Sequence, residues 1–105
     1  MPQTEGPLRG IKVLELGHIV AGPTASLILA ELGAEVVKVE RPGSGDQARN
    51  SKANQGHFVS YNFNKKSIAL DIGTDQGRDT VLALVARADI VIDNFAPGSL
   101  DRLGL

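Results

Sequence analysis

The most informative stretch of this chain reads Lys12-Val-Leu-Glu-Leu-Gly-His18-Ile-Val-Ala-Gly-Pro23. Its first half belongs to the apolar run Ile11–Leu16, which is typical of a buried strand. A Gly/Pro turn with a histidine follows, and the apolar residues behind the turn recur at helical spacing: Ala25, Ile28, Leu29 and Leu32. Because α/β proteins commonly bind ligands where a strand turns into a helix, the stretch predicts a site at this strand's carboxyl end.

The same alternation of strands and helices continues along the chain. Strands are predicted at Ile11–Leu16, Glu35–Glu40, Ser67–Ile72 and Asp89–Asp93, from apolar and β-branched runs bounded by turn residues. Strands that alternate with helices pair in parallel through right-handed crossovers. We therefore expect an α/β fold with a Rossmann-like open, mainly parallel sheet and flanking helices.

Helix boundaries follow from residues with special backbone chemistry. Pro23 suits a first helical turn, where its missing N–H would be unpaired anyway, and Gly33 is expected to end that helix. Thr74 is a predicted N-cap for a helix whose apolar face includes Val81 and Val85. Ser99 is predicted to cap a further helix.

The segment from Arg41 to Lys66 is unusually long for a connection between strands. Its charged residues give a net charge of +4, since five are basic and one is acidic: Arg41, Arg49, Lys52, Lys65, Lys66 and Asp46. Two interpretations stay open, a solvated and partly mobile loop or a basic surface for an anionic small ligand. Its aromatic residues indicate that part of it folds as a short helix or strand on the core: Phe58, Tyr61 and Phe63.

Length and composition set limits on the class of protein. The chain has 105 residues, 42% of them hydrophobic and 22% charged, which is enough for one small domain. A formal net charge of −1 gives no overall attraction to nucleic acid or to anionic membranes. The absence of cysteine excludes disulfides and thiolate nucleophiles, and it agrees with a cytoplasmic location. We expect neither a membrane segment nor an export leader.

Several common functional motifs are missing from the sequence. Neither a G-x-G-x-x-G dinucleotide fingerprint nor a P-loop occurs, and Gly43-Ser44-Gly45 has the wrong spacing for a serine nucleophile. His18 and His57 lie far apart without a nearby carboxylate at ligand spacing, so no metal is expected. Asp71 and Asp93 stand at strand ends, where hydrogen bonding to backbone donors is more common than catalysis.

Six segments carry a resemblance to a known family: Pro7–Leu16, His18–Pro23, Leu32–Asp46, Asn62–Asp71, Ala88–Phe95 and Pro97–Gly104. Together they resemble the N-terminal part of family III CoA-transferases, the CaiB/BaiF family, which includes formyl-CoA transferase and α-methylacyl-CoA racemase. The resemblance implies a CoA-binding, Rossmann-like portion, residues 1–105, of a longer protein that is usually an interlocked homodimer. It implies acyl-CoA and carboxylic acids as substrates, and no metal, nucleic acid or membrane partner.

The resemblance also implies which residues contact coenzyme A. They are His18, Val20, Ala21, Arg41, Leu70, Asp71, Ile72, Gly73, Asn94, Phe95, Ala96 and Arg102. The guanidinium groups among them are forked donors that suit phosphate, and the phenyl ring suits an apolar part of the cofactor. Two positions depart from the formyl-CoA transferase pattern, because Val20 replaces a glutamine and Gly73 replaces a lysine. The first departure weakens a claim to formyl or oxalyl chemistry, and the second removes one possible phosphate contact.

No catalytic residue is assigned within the chain. By resemblance, the transferases attack the acyl-CoA thioester with an aspartate that would lie beyond Leu105, whereas racemase members move a proton at the acyl α-carbon. Three alternatives therefore stay open. The chain is the CoA-binding part of an acyl-CoA:carboxylate CoA-transferase, the same part of a racemase or isomerase, or an isolated fragment without independent activity.

Overall fold

A parallel sheet forms the centre of the molecule. The computed structural model describes residues 5–50 and 55–105, and in these ranges four strands pair in the order β3-β2-β1-β4. The strands are β1 Lys12–Glu15, β2 Glu35–Glu40, β3 Lys66–Ala69 and β4 Ile90–Ile92. Every pairing is parallel, which confirms the predicted open α/β fold. β2 has the predicted bounds, while the other strands are shorter than their apolar runs.

Five helices lie in the described part of the chain: α1 Ala21–Glu31, α2 Gln47–Asn50, α3 Gln55–Asn62, α4 Asp75–Arg87 and α5 Ser99–Arg102. Pro23 lies in the first turn of α1 as predicted, and Gly33 follows that helix with a φ of 106°. The Thr74 cap is confirmed, because its hydroxyl accepts a hydrogen bond from the Gly77 N–H at 3.1 Å. The described helices include none that is both long and apolar enough to span a membrane.

The predicted Ser99 cap is wrong. Ser99 is the first residue of α5, and the N-cap is Gly98, which has a φ of 84° and no side chain to offer. Glycine fits this position because it adopts a positive φ without the steric penalty of a Cβ. The Ser99 hydroxyl instead accepts a hydrogen bond from the Arg102 guanidinium at 3.2 Å.

Helices cover both faces of the sheet. On one face Val13 and Val36 pack with Ala30 and Ala34 of the α1 region. On the other face Leu14 and Val39 pack with Val81 of α4. Successive residues of a strand point to opposite faces, so the neighbours Val13 and Leu14 enter different cores. The result is a three-layer arrangement whose middle layer is the sheet.

The chain order places a topological switch beside β1. From β1 the chain moves outward through β2 to β3, and it then returns to place β4 on the other side of β1. Connections that leave a parallel sheet in opposite directions open a crevice at the carboxyl ends of the strands. The turn that follows β1 therefore occupies the position where open α/β sheets bind ligands.

The long segment after β2 contains regular structure. It forms α2 and α3, which confirms that part of it folds as a short helix, and α3 packs against α1. Phe58 is half-buried, and the Arg49 guanidinium lies over its ring with 3.9 Å between the guanidinium carbon and the ring centroid. Lys52, one of the basic residues of this segment, lies outside the described residues.

Candidate functional site

A cleft of about 850 Å³ opens at the carboxyl ends of the strands. Its walls come from the turn after β1, the segment between β2 and α2, the turn after β3 and the region around α5. The size is within the range of small-molecule sites in proteins. Its position is the one that the switch beside β1 predicts.

Most of the sequence-predicted contact residues line this cleft. They are His18, Arg41, Leu70, Asp71, Ile72, Gly73 and Phe95. These residues come from the ends of four different strands, and the fold brings them together. Arg41 is exposed and lines the cleft, so it is accessible to an anion bound there.

The other predicted residues do not line the cleft: Val20, Ala21, Asn94, Ala96 and Arg102. Val20 and Ala21 lie at the start of α1, and both are exposed. Ala96 accepts the Ser99 N–H through its carbonyl, and Arg102 binds the Ser99 hydroxyl. Ser99 lines the cleft, so Ala96 and Arg102 are connected to the cleft through their bonds to Ser99.

The Asn94 side chain is hydrogen-bonded to the turn after β1. Its side-chain oxygen accepts the His18 N–H at 3.0 Å, and its side-chain nitrogen donates to the His18 carbonyl at 2.8 Å. This side chain satisfies both backbone groups of His18 across the junction between β1 and β4. The His18 and Phe95 rings lie 5.6 Å apart between centroids, tilted by 34°, and both residues line the cleft.

Gly17 and Gly22 allow the turn to pass very close to the start of α1. A Cβ added to either residue would lie 2.8 Å from the Cα of the other, which is closer than van der Waals contact. The Asn94 side-chain oxygen would also lie within 3.2 Å of both added atoms. A glycine at each position is therefore required by space.

A buried network of charged side chains lies beneath the turn. Glu15 is the direct register partner of Lys38, and Lys38 Nζ lies 2.7 Å from a Glu15 oxygen and 2.8 Å from an Asp46 oxygen. Lys65 Nζ lies 2.7 Å from the other Glu15 oxygen, which also accepts the Ser26 hydroxyl. Two carboxylates and two ammonium groups balance, so the network has no net charge. Such pairing is needed because an isolated buried charge is very unfavourable.

The Lys65 ammonium is shielded from water within this network. Burial lowers the pKa of Lys65, and the hydrogen bond to Glu15 partly opposes that effect. The ammonium also donates to the Pro23 carbonyl at 2.9 Å and to the Asn62 side-chain oxygen at 3.1 Å. Lys65 therefore connects the end of α3 with β1 and α1.

Glu40 organises the wall that follows β2. Its carboxylate accepts two bonds from the Arg49 guanidinium, at 2.6 and 2.8 Å, one from the Asp46 N–H at 2.8 Å, and one from the Ser67 hydroxyl. Burial alone would raise the pKa of Glu40, but the bonds from Arg49, Ser67 and Asp46 outweigh it and lower the pKa to about 2. Glu40 is therefore ionised at neutral pH.

The interpretation of residues 41–66 as a basic ligand surface needs correction. The Arg49 guanidinium is paired with Glu40, and the Lys65 ammonium is buried with Glu15. Lys66 Nζ lies 3.7 Å from Glu35 on the surface. The positive charge of this segment is thus largely balanced by strand-end carboxylates, and Arg41 is the described member that lines the cleft.

Sequence reasoning did not assign roles to Glu15, Lys38 and Asp46. A signal was present, because Glu15 interrupts an apolar run and Lys38 stands among valines. Charged residues at buried strand positions are expected to have partners. The partners could be named only once the register placed Glu15 opposite Lys38.

Asp71 and Asp93 have the structural roles favoured by the sequence. Asp71 accepts the Gly73 N–H at 3.0 Å, and Asp93 accepts the Phe95 N–H at 3.2 Å. Both bonds shape the turns that follow their strands. Within residues 5–50 and 55–105, no group of three His, Cys, Asp or Glu side chains is arranged to hold a metal ion.

Curated relatives of this chain include several CoA-transferases. A formyl-CoA:oxalate CoA-transferase of Afipia carboxidovorans is 42% identical over 102 residues, which cover 92% of this chain and 24% of that protein. A succinyl-CoA:glutarate CoA-transferase of Mus musculus is 43% identical over 104 residues, covering 94% of this chain and 24% of the mouse protein. The chain thus spans about a quarter of the length of these relatives.

Solved structures with the same fold were also found. A CAIB/BAIF family protein from Brucella suis superimposes with a TM-score of 0.89 at 43% identity, over 95% of this chain and 29% of that one. A hypothetical protein from Mycobacterium tuberculosis gives a TM-score of 0.90 at 42% identity, over 98% of this chain and 28% of that one. The sequence model of CoA-transferase family III matches residues 8–105. This chain therefore belongs to CoA-transferase family III, the CaiB/BaiF family.

Proposed function

We propose that this chain is the CoA-binding part of an acyl-CoA:carboxylate CoA-transferase, whose substrates are an acyl-CoA and a carboxylic acid. The observation that carries the proposal is that seven of the twelve residues expected to contact CoA line one cleft. The family resemblance implies these residues, and they lie in four separate turns at the carboxyl end of the sheet. The CoA-transferase names of the relatives favour transfer over racemisation.

Arg41 is the residue we propose for the phosphate end of the cofactor. Its guanidinium is exposed at the cleft, whereas Arg49 in the same segment is already paired with Glu40. A forked, permanently charged donor suits phosphate oxygens. Arg102 is a second proposed phosphate contact, because a guanidinium has five N–H donors and the bond to the Ser99 hydroxyl uses one of them.

The start of α1 is suited to an anion as well. This helix has 11 residues and no side-chain cap among the described residues. N–H groups in a first helical turn lack intrahelical partners and carry partial positive charge. Phe95 supplies an apolar surface within the cleft, and its ring lies beside that of His18.

The chemistry we propose needs a carboxylate nucleophile from outside these residues. An aspartate would attack the thioester carbonyl, form a mixed anhydride and release the CoA thiolate. The thiolate would then attack the aspartyl carbonyl, giving an aspartyl-CoA thioester and the free carboxylate of the first acid. The contribution of this chain would be to hold CoA while the acyl group reacts, which reduces the entropic cost of each step. We also propose a cytoplasmic homodimer for the whole protein.

Calorimetric titration tests the binding proposal. The chain, with its folding checked by circular dichroism, is titrated with CoA and with dephospho-CoA. We expect saturable binding that favours CoA, and weaker binding by Arg41→Gln of about tenfold, as for loss of a charged hydrogen bond. Arg87→Gln is the matched control, because Arg87 is an exposed residue of α4 outside the cleft. A folded chain that binds neither compound would contradict the proposal.

The transferase activity is tested separately. A chain extended to the length of the relatives is supplied with an acyl-CoA and a second, isotopically labelled acid. Appearance of the labelled acyl-CoA supports transfer between carboxylates. Epimerisation of the acyl-CoA without exchange would instead support the racemase alternative.

A further inference from the structure

The turn after β1 contains a backbone conformation that its sequence does not favour. Ile19 has a φ of 67°, in the left-handed region. A β-branched residue is rarely found there, because its Cβ crowds the backbone. Strained residues of this kind persist when the surrounding structure holds them, and they concentrate at functional sites. Ile19 directly follows His18, which lines the cleft.

One buried side chain contacts the Ile19 backbone. The Ile19 N–H donates to the two carboxylate oxygens of Asp46, at 3.1 and 3.3 Å. Asp46 is 27 residues away in sequence and only 4% exposed. The contact therefore joins the segment after β2 to the turn after β1, which form two walls of the cleft.

Asp46 is itself fixed on several sides. Lys38 Nζ lies 2.8 Å from one carboxylate oxygen, and the Ala48 N–H donates to the other at 2.9 Å. The Asp46 N–H donates to Glu40 at 2.8 Å. Burial would raise the pKa of Asp46, but Lys38 and the two backbone donors outweigh it and lower the pKa. The group is thus a rigid, ionised acceptor.

We propose that Asp46 is a positioning residue of this site: its carboxylate keeps Ile19 left-handed and so fixes the direction in which the turn presents His18 to the ligand. The identity of the ligand, CoA, rests on the proposed function. Asn94 fixes the same turn from the other side through both backbone groups of His18. The turn is thus held between Asp46 and Asn94, and Lys38 additionally donates to the Gly17 carbonyl at 3.3 Å.

The alternative is that Asp46 only stabilises α2 and the buried charges. Its bond to the Ala48 N–H and its pair with Lys38 are sufficient for that role. The two roles predict different responses of the Ile19 backbone conformation when the Asp46 carboxylate is replaced. A double-mutant cycle between positions 46 and 19 separates them, since only the positioning role requires Ile19 to depend on Asp46.

The cycle uses Asp46→Asn, Ile19→Gly and the double variant, each titrated with CoA. Glycine adopts a positive φ without a steric penalty. At position 19 it should therefore keep the left-handed conformation without help from the Asp46 carboxylate. We expect Asp46→Asn to weaken CoA binding by about tenfold in the parent chain and by less than about threefold in the Ile19→Gly background. Asp79→Asn, an exposed change on α4, is the control and should bind like the parent. Equal effects of Asp46→Asn in both backgrounds would overturn the proposal.

A second measurement does not depend on the ligand. Backbone NMR of the free chain reports the conformation of Ile19 through its carbon chemical shifts, and hydrogen exchange reports the protection of its amide. In Asp46→Asn we expect both to change while the amides of β1 keep their protection. If only the Ala48 amide changes, Asp46 acts on α2 alone and the proposal is wrong. Should the parent chain fail to bind CoA, the proposed function fails, and the NMR comparison still decides the role of Asp46.

Discussion

Lys65 and Lys66 are adjacent in sequence but lie in opposite environments. The Lys65 side chain is 2% exposed and its ammonium lies 2.7 Å from Glu15, whereas the Lys66 side chain is 61% exposed and 3.7 Å from Glu35. We expect Lys65→Met to lower the free energy of unfolding by about 3 kcal/mol, because it leaves part of the Glu15 charge buried without compensation.

The neighbouring lysine supplies the control. Lys66→Met should change the unfolding free energy by less than about 1 kcal/mol, as surface ion pairs contribute little. Urea unfolding followed by circular dichroism measures both variants. Similar losses for the two substitutions would show that the buried network is not a major source of stability.

The depressed pKa of Glu40 predicts how stability depends on acidity. The pKa of Glu40 is lowered from its ordinary value of 4.5 to about 2 in the folded chain, so the stabilisation it provides is complete above pH 4.5. That stabilisation is lost as the pH falls from 4.5 through 2, because the unfolded chain binds the proton more readily. We expect Glu40→Gln to be less stable at neutral pH and to lose less stability across this acid range. Urea unfolding between pH 7 and pH 2 measures the difference.

Glu31→Gln serves as the matched control for the acid range. Glu31 is exposed at the end of α1, so its substitution should leave the slope of stability against pH as in the parent. Part of the slope of stability against pH should remain in Glu40→Gln, because the pKa of Asp46 is also lowered. A parent-like slope in Glu40→Gln would show that this carboxylate does not contribute.

Glycine at position 17 is required by the close approach of Gly22. A Cβ at Gly17 would lie 2.8 Å from the Gly22 Cα, so Gly17→Ala must displace the backbone of the turn. We expect a loss of about 1 to 3 kcal/mol in unfolding free energy, as for overpacking of a tight site. Gly56→Ala is the control, because a Cβ there meets nothing within 4 Å and the residue lies in α3. This second change should stabilise the chain by about 0.5 to 1 kcal/mol.

The Thr74 cap gives a prediction about α4. Thr74→Ala removes the acceptor of the Gly77 N–H and should cost about 1 kcal/mol of stability. Thr80→Ala removes a hydroxyl that donates to the Gln76 carbonyl inside the same helix. Because alanine is the better helix former, this control should be neutral or slightly stabilising. Thermal unfolding of the two variants compares them directly, and an equal loss in both would argue against the cap.

The strands and the position of the cleft could be predicted because they depend on local patterns. Apolar runs such as Ile11–Leu16 mark strands, and the alternation of strands with helices implies parallel pairing. The carboxyl ends of parallel strands lie at the same edge of a sheet, and His18, Arg41 and Phe95 all follow such ends and line the cleft there. Boundaries were less accurate, because a strand ends where its pairing ends rather than where its apolar run does.

The buried ion pairs could not be predicted, because they depend on register and on distant segments. Nothing local marks Lys65 as buried and Lys66 as exposed. No local pattern predicts the position of Asp46 either: in the sequence it is a single acidic residue in a basic segment, but in the structure it lies beneath the turn after β1. Ser99 was mistaken for a cap because its residue type favours that position, while Gly98 takes it by virtue of its positive φ.

The contact between Asn94 and His18 also has a kinetic consequence. It joins residues 76 positions apart, whereas β1 and β2 pair across 23 positions. Closing a longer loop costs more chain entropy, so we expect β1 and β2 to associate early in folding and β4 to dock later. The part of the cleft that contains Phe95, next to the bond between Asn94 and His18, would then be the last to assemble. A ligand that contacts both the turn after β1 and the region after β4 would slow the detachment of β4 during unfolding. The unfolding rate would therefore report the fraction of sites that hold ligand.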